Sequence, residues 1–415
     1  MNSLLGSGNS GSHGDGENGV LFVTPVAPWG LFGGTATVSQ NLISLLTETL
    51  RAQICCIASH EAGTYPRTAH GATILSRKVS GLARRLRFFF DFSSASFASR
   101  QFDRKTVRAR FAALLAERRP KVVIFDHIFS TWLMDLVRDP SARLIYIAHD
   151  DMVAYADSLL RLQPPLLKRL RFLNLRRQYE RLQRQVLLRC QLTLALTKED
   201  ASLLAKANPN PVEVAPLFFD FPEQPRNYPR DFHSLLATGS FDTWEKQLGF
   251  RQFLENIFVP LTRLHPDLRL VVAGRIPADF QLTLLCAEPS IRIVSAPTKS
   301  EMGNLLQEAS AAVVLDLQAS GLKIKTMELA ATGLPLVSWE PGLEGTMLVH
   351  EQSCLCAKSA EQFATQLSRL FLDPDLRRQL GTNARQTVRS QFSRDTARSR
   401  LGVSRLAATF ATVDK

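Results

Sequence analysis

Short apolar runs alternate with helical stretches along almost the whole chain, and that alternation limits the possible folds more than any other feature. The runs stand at Val20 to Thr24, Ile54 to Ser59, Val122 to Asp126, Leu144 to Ala148, Leu192 to Leu196 and Val212 to Ala215. They resume at Leu235 to Thr238, Leu268 to Ala273, Ile291 to Val294, Ala312 to Leu315 and Leu336 to Trp339. Between them lie segments with helical spacing, such as Leu175, Tyr179, Leu182 and Val186 on one face. Strands joined through helices pair in parallel, so the pattern predicts a doubly wound α/β fold. A chain of 415 residues exceeds one core, and the rhythm restarts after Pro216, Pro222, Pro225 and Pro229. The expected organisation is a disordered tail over 1–19, a first domain over 20–215, a linker over 216–232 and a second domain over 233–392. A terminal helix over 393–415 is placed to pack back on the first domain.

Two such domains set the carboxyl ends of both sheets across one cleft, where open α/β sheets bind their ligands. Gly239, Gly274, Arg275, Pro297 and the Ser320 to Glu328 segment follow strands on one side. Gly33, Gly34, His127 and His149 follow strands on the other.

One stretch, Val313 to Trp339, concentrates chemistry. It reads as a strand, a polar loop from Asp316 to Leu322, a helix from about Lys323 to Ala331 stopped by Gly333 and Pro335, and a second strand. The loop delivers Gly321, Leu322, Lys323 and Lys325 to a helix start, with Glu328 one turn on. Unpaired N–H groups and the macrodipole make that end positive, so lysines there oppose the dipole unless an anion compensates them. Taken alone, the pair fits a solvated loop equally well.

Composition bounds the rest. The formal charge of +12 is local: segments 77–110 and 161–189 carry +8 each, leaving about −4 elsewhere. Both mix arginines with leucine or phenylalanine, as in Arg84 to Phe90 and Leu166 to Leu173. That composition fits an anionic membrane surface or an amphipathic helix packed on a sheet. No nucleic-acid module is recognisable, so nucleic acid is not an expected partner. Six scattered cysteines form no disulfide framework, and no signal peptide or membrane-spanning run stands out. The expected location is cytoplasmic, with peripheral contact at the inner face of the membrane. Asp373-Pro374-Asp375 lies between helices, where capping is the reading, and no metal site is expected.

Gly321, Lys323, Lys325, Glu328, Gly333 and Pro335 spell G-x-K-x-K-x-x-E, followed by A-x-G-x-P. This resembles the donor-binding motif of nucleotide-sugar glycosyltransferases of the GT-B architecture, family-four-like (glycosyl transferases group 1). Thr24 to Ala36 is similar to that family's N-terminal glycine loop, and Ala237 to Asp242 to the start of its C-terminal Rossmann-like domain. The resemblance implies retaining transfer of a sugar from a UDP- or GDP-sugar co-substrate to a glycan or lipid-linked acceptor, with no other cofactor. It implies that Glu328 binds the donor ribose, that Lys323 and Lys325 steady the diphosphate, and that His149 meets the transferred sugar or the acceptor. His149 read from spacing alone is equally a structural histidine, and Asp150 and Asp151 are a base or helix caps. The chain departs from the pattern at Ser320, where the family carries a glutamate, and Lys246 is offset from the family's basic position. An inactive scaffold that binds a glycan or protein is the alternative, and an epimerase of the same architecture a further one.

Overall fold

The computed structural model describes residues 19–25, 34–50, 53–59, 73–77, 103–219, 226–228, 231–232, 234–281 and 288–411. Residues 1–18 of the tail expected over 1–19, and residues 78–102 of the first basic segment, lie outside the described residues.

Among the described residues thirteen strands form two sheets in which every pairing is parallel. In the first sheet these are β1 (Val20–Thr24), β2 (Gln53–Ser59), β3 (Thr73–Arg77), β4 (Val122–Asp126), β5 (Arg143–Ala148), β6 (Leu192–Ala195) and β7 (Val212–Val214). The second holds β8 (Ser234–Ser240), β9 (Arg269–Arg275), β10 (Ile291–Ser295), β11 (Ala311–Val314), β12 (Leu336–Trp339) and β13 (Leu355–Ala357). The orders are β3-β2-β1-β4-β5-β6-β7 and β10-β9-β8-β11-β12-β13. The chain therefore reverses direction between β1 and β4 in one sheet and between β8 and β11 in the other. Those switch points open the crevices in which such sheets bind ligands.

The central strands β1, β4, β6, β11 and β12 are buried along their whole length. Burial on both faces is why they read as continuous apolar runs rather than alternating ones. One buried cluster takes in both sheets: Phe22, Leu42 and Phe218 join Leu236, Val314 and Ile324. Leu217, Phe218 and Phe219, at the start of the proline-rich stretch, are buried. Further along it, Arg226 donates to the Leu306 and Ala309 carbonyls and the Tyr228 hydroxyl to the Gly333 carbonyl at 2.8 Å.

Several local expectations change. Strands β3 and β13 and the Met152–Arg161 helix appear where periodicity was too short to read. Thr131–Leu136 is a 3-10 helix. The helix that begins at Trp244 widens into a π turn at Leu254–Phe258, just before Pro260, which has no N–H to donate. Its last piece is Val259–Leu264. The terminal helix is two pieces, Arg394–Gly402 and Arg405–Ala411.

After the Pro374–Phe392 helix the chain reaches the first sheet. Phe392 accepts from the Phe219 N–H at 2.9 Å, and their rings meet edge to face at 5.6 Å. Arg394 lies over the Phe218 ring at 4.2 Å, and Arg394 and Arg398 both reach Glu48 in the Gly34–Leu50 helix. Buried aromatic packing outweighs exposed ion pairs. Phe392→Ala is therefore expected to lower stability by about 3–5 kcal/mol and Arg398→Ala by under about 1 kcal/mol, read from denaturant unfolding.

Candidate active site

The loop after β11 is held in a strained shape. Ser320 and Gly321 have consecutive positive φ values of 132° and 69°. A Cβ built on Gly321 would lie 1.9 Å from Asp150 Oδ1 and 3.2 Å from the His149 carbonyl oxygen, so only glycine fits. Lys323 is the N-cap residue of the Ile324–Ala331 helix, and its Nζ donates back to the Ser320 carbonyl. It is buried, and burial pulls its pKa below the ordinary lysine range, while Asp316, Asp150, Glu344 and Asp200 oppose that pull.

Lys325 pairs with Asp316 at 3.0 Å. Burial raises the Asp316 pKa, but the neighbouring Lys325 and Lys323 charges prevail and hold it below the usual carboxylate range. The anion that the sequence pattern asked for thus has a counterpart within the chain. Asp316 stands inside the same motif, immediately after the strand and its leucine, and was legible there as a strand-end carboxylate. Glu344 accepts from the Ser320 backbone N–H at 2.8 Å, and no sequence signal marks it.

Glu328 faces the first sheet. The Thr37 hydroxyl donates to it at 3.3 Å, and burial raises its pKa, opposed by Thr37 and Lys325. Gly34, at the start of its helix, lets this approach happen: a Cβ there would lie 3.1 Å from Ile324 Cγ1. Two helix N-termini, one from each sheet, therefore meet at the cleft. Gly33 lies outside the described residues.

On the first-sheet wall, His149 Nε2 and Asp126 Oδ1 are 2.7 Å apart, and the Ser39 hydroxyl donates to Asp126 Oδ2 at 2.5 Å. Burial would raise Asp126, but His149 and Ser39 hold it below the ordinary range, so the carboxylate accepts and Nε2 donates. His127 is left-handed at φ 63°, stacked on Phe129 at 4.7 Å and tilted against His149 at 4.9 Å. Burial, then the His149 charge, pushes its pKa down to about 3, which makes it a neutral packing residue. Asp151 caps the Met152–Arg161 helix, accepting from the Val153 and Ala154 N–H groups at 2.9 Å each. Asp150 instead turns to the cleft, where it accepts from the Ser320 hydroxyl at 3.3 Å.

The remaining candidates are spread out. Gly239 lies beside the Lys325 side chain, and Gly274 packs on the Gly239 carbonyl. Arg275 pairs with Asp242 at 2.5 Å and with the Ser240 hydroxyl, largely in solvent. Pro297 follows edge strand β10, with β9 and β8 between it and β11. Leu322 is buried in the shared core. Among the described residues no cluster of three or more His, Cys, Asp or Glu side chains is arranged to hold a metal ion. Asp373 caps its helix through the Leu376 N–H at 2.9 Å.

Solved structures share this fold. Sucrose-phosphate synthase from Thermosynechococcus elongatus matches with TM-score 0.71 at 14% identity, over 95% of this chain and 100% of that one. HepE from Anabaena, solved in complex with UDP and glucose, gives 0.64 at 12% identity, over 94% and 99%. Trehalose 6-phosphate synthase from Burkholderia multivorans gives 0.61 at 14% identity, over 95% and 98%. No curated protein sequence matches. The architecture is GT-B, with facing switch points in two parallel α/β domains. Residues 233–373, about a third of the chain, match the family Glycosyl transferases group 1, and on that match the protein is a glycosyltransferase.

Asp200 supplies a pH-dependent test of this corner of the cleft. It accepts from the Asp151 N–H at 3.1 Å and the Thr197 hydroxyl at 2.7 Å, and burial raises its pKa from 3.8 to about 6. A carboxyl raised on folding binds more protons in the native state, so its contribution is present below pH 4 and lost as pH rises through 6. Relative to wild type, Asp200→Asn should therefore gain on the order of 2 kcal/mol between pH 4 and pH 7, read from unfolding curves at each pH.

Proposed function

We propose that the protein transfers a sugar from a nucleotide diphosphate donor to a glycan or lipid-linked acceptor, with retention of configuration and without a metal ion. The observation that carries this reading is the buried Lys323 with Lys325 at the N-terminus of the Ile324–Ala331 helix, opposite His149 across the cleft. The two cations and the helix dipole hold the diphosphate, and Glu328 takes the ribose hydroxyls. The bond from the anomeric carbon to the diphosphate breaks as the acceptor oxygen bonds to that carbon from the same face. The acceptor proton passes to the departing phosphate oxygen. Leaving-group charge grows as this happens, so prearranged cations lower the barrier as well as binding the donor.

Asp316 keeps Lys325 aimed into the loop until phosphate competes for it. Asp126 sets the plane of the His149 ring toward the transferred sugar or the acceptor. The HepE structures with UDP and with UDP-glucose favour a uridine donor. Saturation-transfer NMR against UDP-, GDP- and ADP-sugars is expected to give a signal with one of them. Lys325→Ala should then lower turnover by roughly 10²–10³-fold. Absence of binding by every donor would favour the inactive scaffold, and unchanged turnover in Glu328→Ala would overturn the donor-site assignment.

The acceptor is met, in this reading, at an anionic membrane. No described helix is long and apolar enough to cross a bilayer. The Leu166–Arg189 helix, however, leaves Leu166, Leu167 and Leu170 exposed by 71, 82 and 56% among Lys168, Arg169 and Arg171. Leucines in water beside basic residues suit the headgroup boundary of acidic lipid. Lys168 also lies over the Trp244 ring at 4.9 Å, so this end of the helix touches the second domain. The protein is expected to sediment with phosphatidylglycerol vesicles and not with phosphatidylcholine ones. Leu167→Glu with Leu170→Glu should abolish that binding, whereas equal sedimentation with both lipids would count against it.

A further inference from the structure

Ser320 leaves the donor loop without the carboxylate that the family pattern carries, yet a carboxylate is present there. Asp150 reaches it from the other wall, one residue after His149. Its Oδ1 lies 3.3 Å from Ser320 Oγ and directly over Gly321. A glutamate at position 320 would extend two bonds past the site of that hydroxyl, about 2.5 Å, so its carboxylate would fall in the space Asp150 now takes.

The neighbouring acids are committed elsewhere. Glu344 holds the Ser320 backbone N–H, Asp151 caps a helix, Asp126 serves His149 and Asp316 serves Lys325. Asp150 combines a position facing the donor loop from the opposite wall with a spare oxygen: its hydrogen bond to Ser320 uses Oδ1, and among the described residues Oδ2 has no hydrogen-bond partner. Asp150 is also half-buried, where Asp126 and Asp151 are fully buried. A carboxylate with accessible lone pairs, set between a histidine and a diphosphate-binding helix start, suits neighbouring hydroxyls of a sugar ring, which donate to its two oxygens.

We propose that Asp150, from the first domain, is the specificity-determining carboxylate for the transferred sugar, replacing the glutamate absent at position 320. This rests on the glycosyl-transfer reading above. It also makes sugar recognition depend on both domains, because the residue that reads the sugar and the helix that holds the diphosphate come from opposite walls.

The test relocates the charge. Asp150→Ser should lower kcat/KM for the donor identified by the panel by about 10²-fold, the loss expected for a charged hydrogen bond. Ser320→Glu alone should also impair, because two carboxylates then crowd one space. Combining Asp150→Ser with Ser320→Glu should restore activity to within about tenfold of wild type. Position 320 already carries a side chain at its positive φ, so the glutamate adds no backbone strain. Asp150→Asn, which keeps the shape and loses the charge, should resemble Asp150→Ser and controls for packing.

Affinity for the free nucleoside diphosphate, measured by calorimetry, should change less than kcat/KM in each of the four variants, the residual change reflecting the altered charge around Lys323. A merely structural role would move that affinity or the melting temperature along with the rate. Wild-type kcat/KM in Asp150→Ser, or failure of Ser320→Glu to rescue a variant that still binds nucleotide, overturns the proposal. Loss of nucleotide binding in the wild type itself would instead sink the glycosyl-transfer reading.

Discussion

The cleft depends on how closely two helix starts approach each other. The first turn of Gly34–Leu50 meets the first turn of Ile324–Ala331, with little room for a side chain on Gly34 and with Thr37 reaching Glu328. Each start carries unsatisfied N–H groups and a partial positive charge, and bringing two together is unfavourable unless negative charge lies nearby. Asp316, Glu328, Glu344 and Asp150 supply it from within the chain. The shared apolar cluster of Phe22, Leu42, Phe218, Val314 and Ile324 holds the approach in place from behind.

That balance explains why the site tolerates a buried lysine. An isolated ammonium this deep would lose its proton, since burial disfavours the charged form. Around Lys323 four carboxylates oppose the loss, and the Ser320 carbonyl accepts its hydrogen bond. Both ammonium groups are thus held in place by partners within the chain, Lys323 by the Ser320 carbonyl and Lys325 by Asp316. On the opposite wall the same economy appears as a chain from Ser39 to Asp126 to His149, with a neutral His127 packed behind.

Much of the fold was legible in the sequence because its central strands are buried on both faces and its helices carry one apolar side. Strands such as β4 and β12 read as apolar runs with clear ends, and the Thr298 capping box marked the Lys299–Glu308 helix. Edge elements were harder. Strand β13 has three residues and β3 follows a long polar stretch, so neither offers a period to count. The site was legible on the side where one contiguous motif carries it. Lys323, Lys325 and Glu328 fall within two helical turns of each other, and helix geometry alone brings them together.

The other half of the site has no local signature. Thr37 and Glu328 are separated by 291 positions, and Ser320 and Asp150 by 170, yet each pair shares a hydrogen bond. By itself the sequence determined two parallel α/β units and a helix start that carries two lysines, because periodicity, capping and glycine placement act over a few residues. Only the tertiary structure decided which carboxylate faces Ser320, that Asp151 caps a helix while Asp150 does not, and that Lys325 already has Asp316 beside it. Those outcomes turn on short-range hydrogen bonds and charge contacts, which exist only once packing has brought distant segments within a few ångströms.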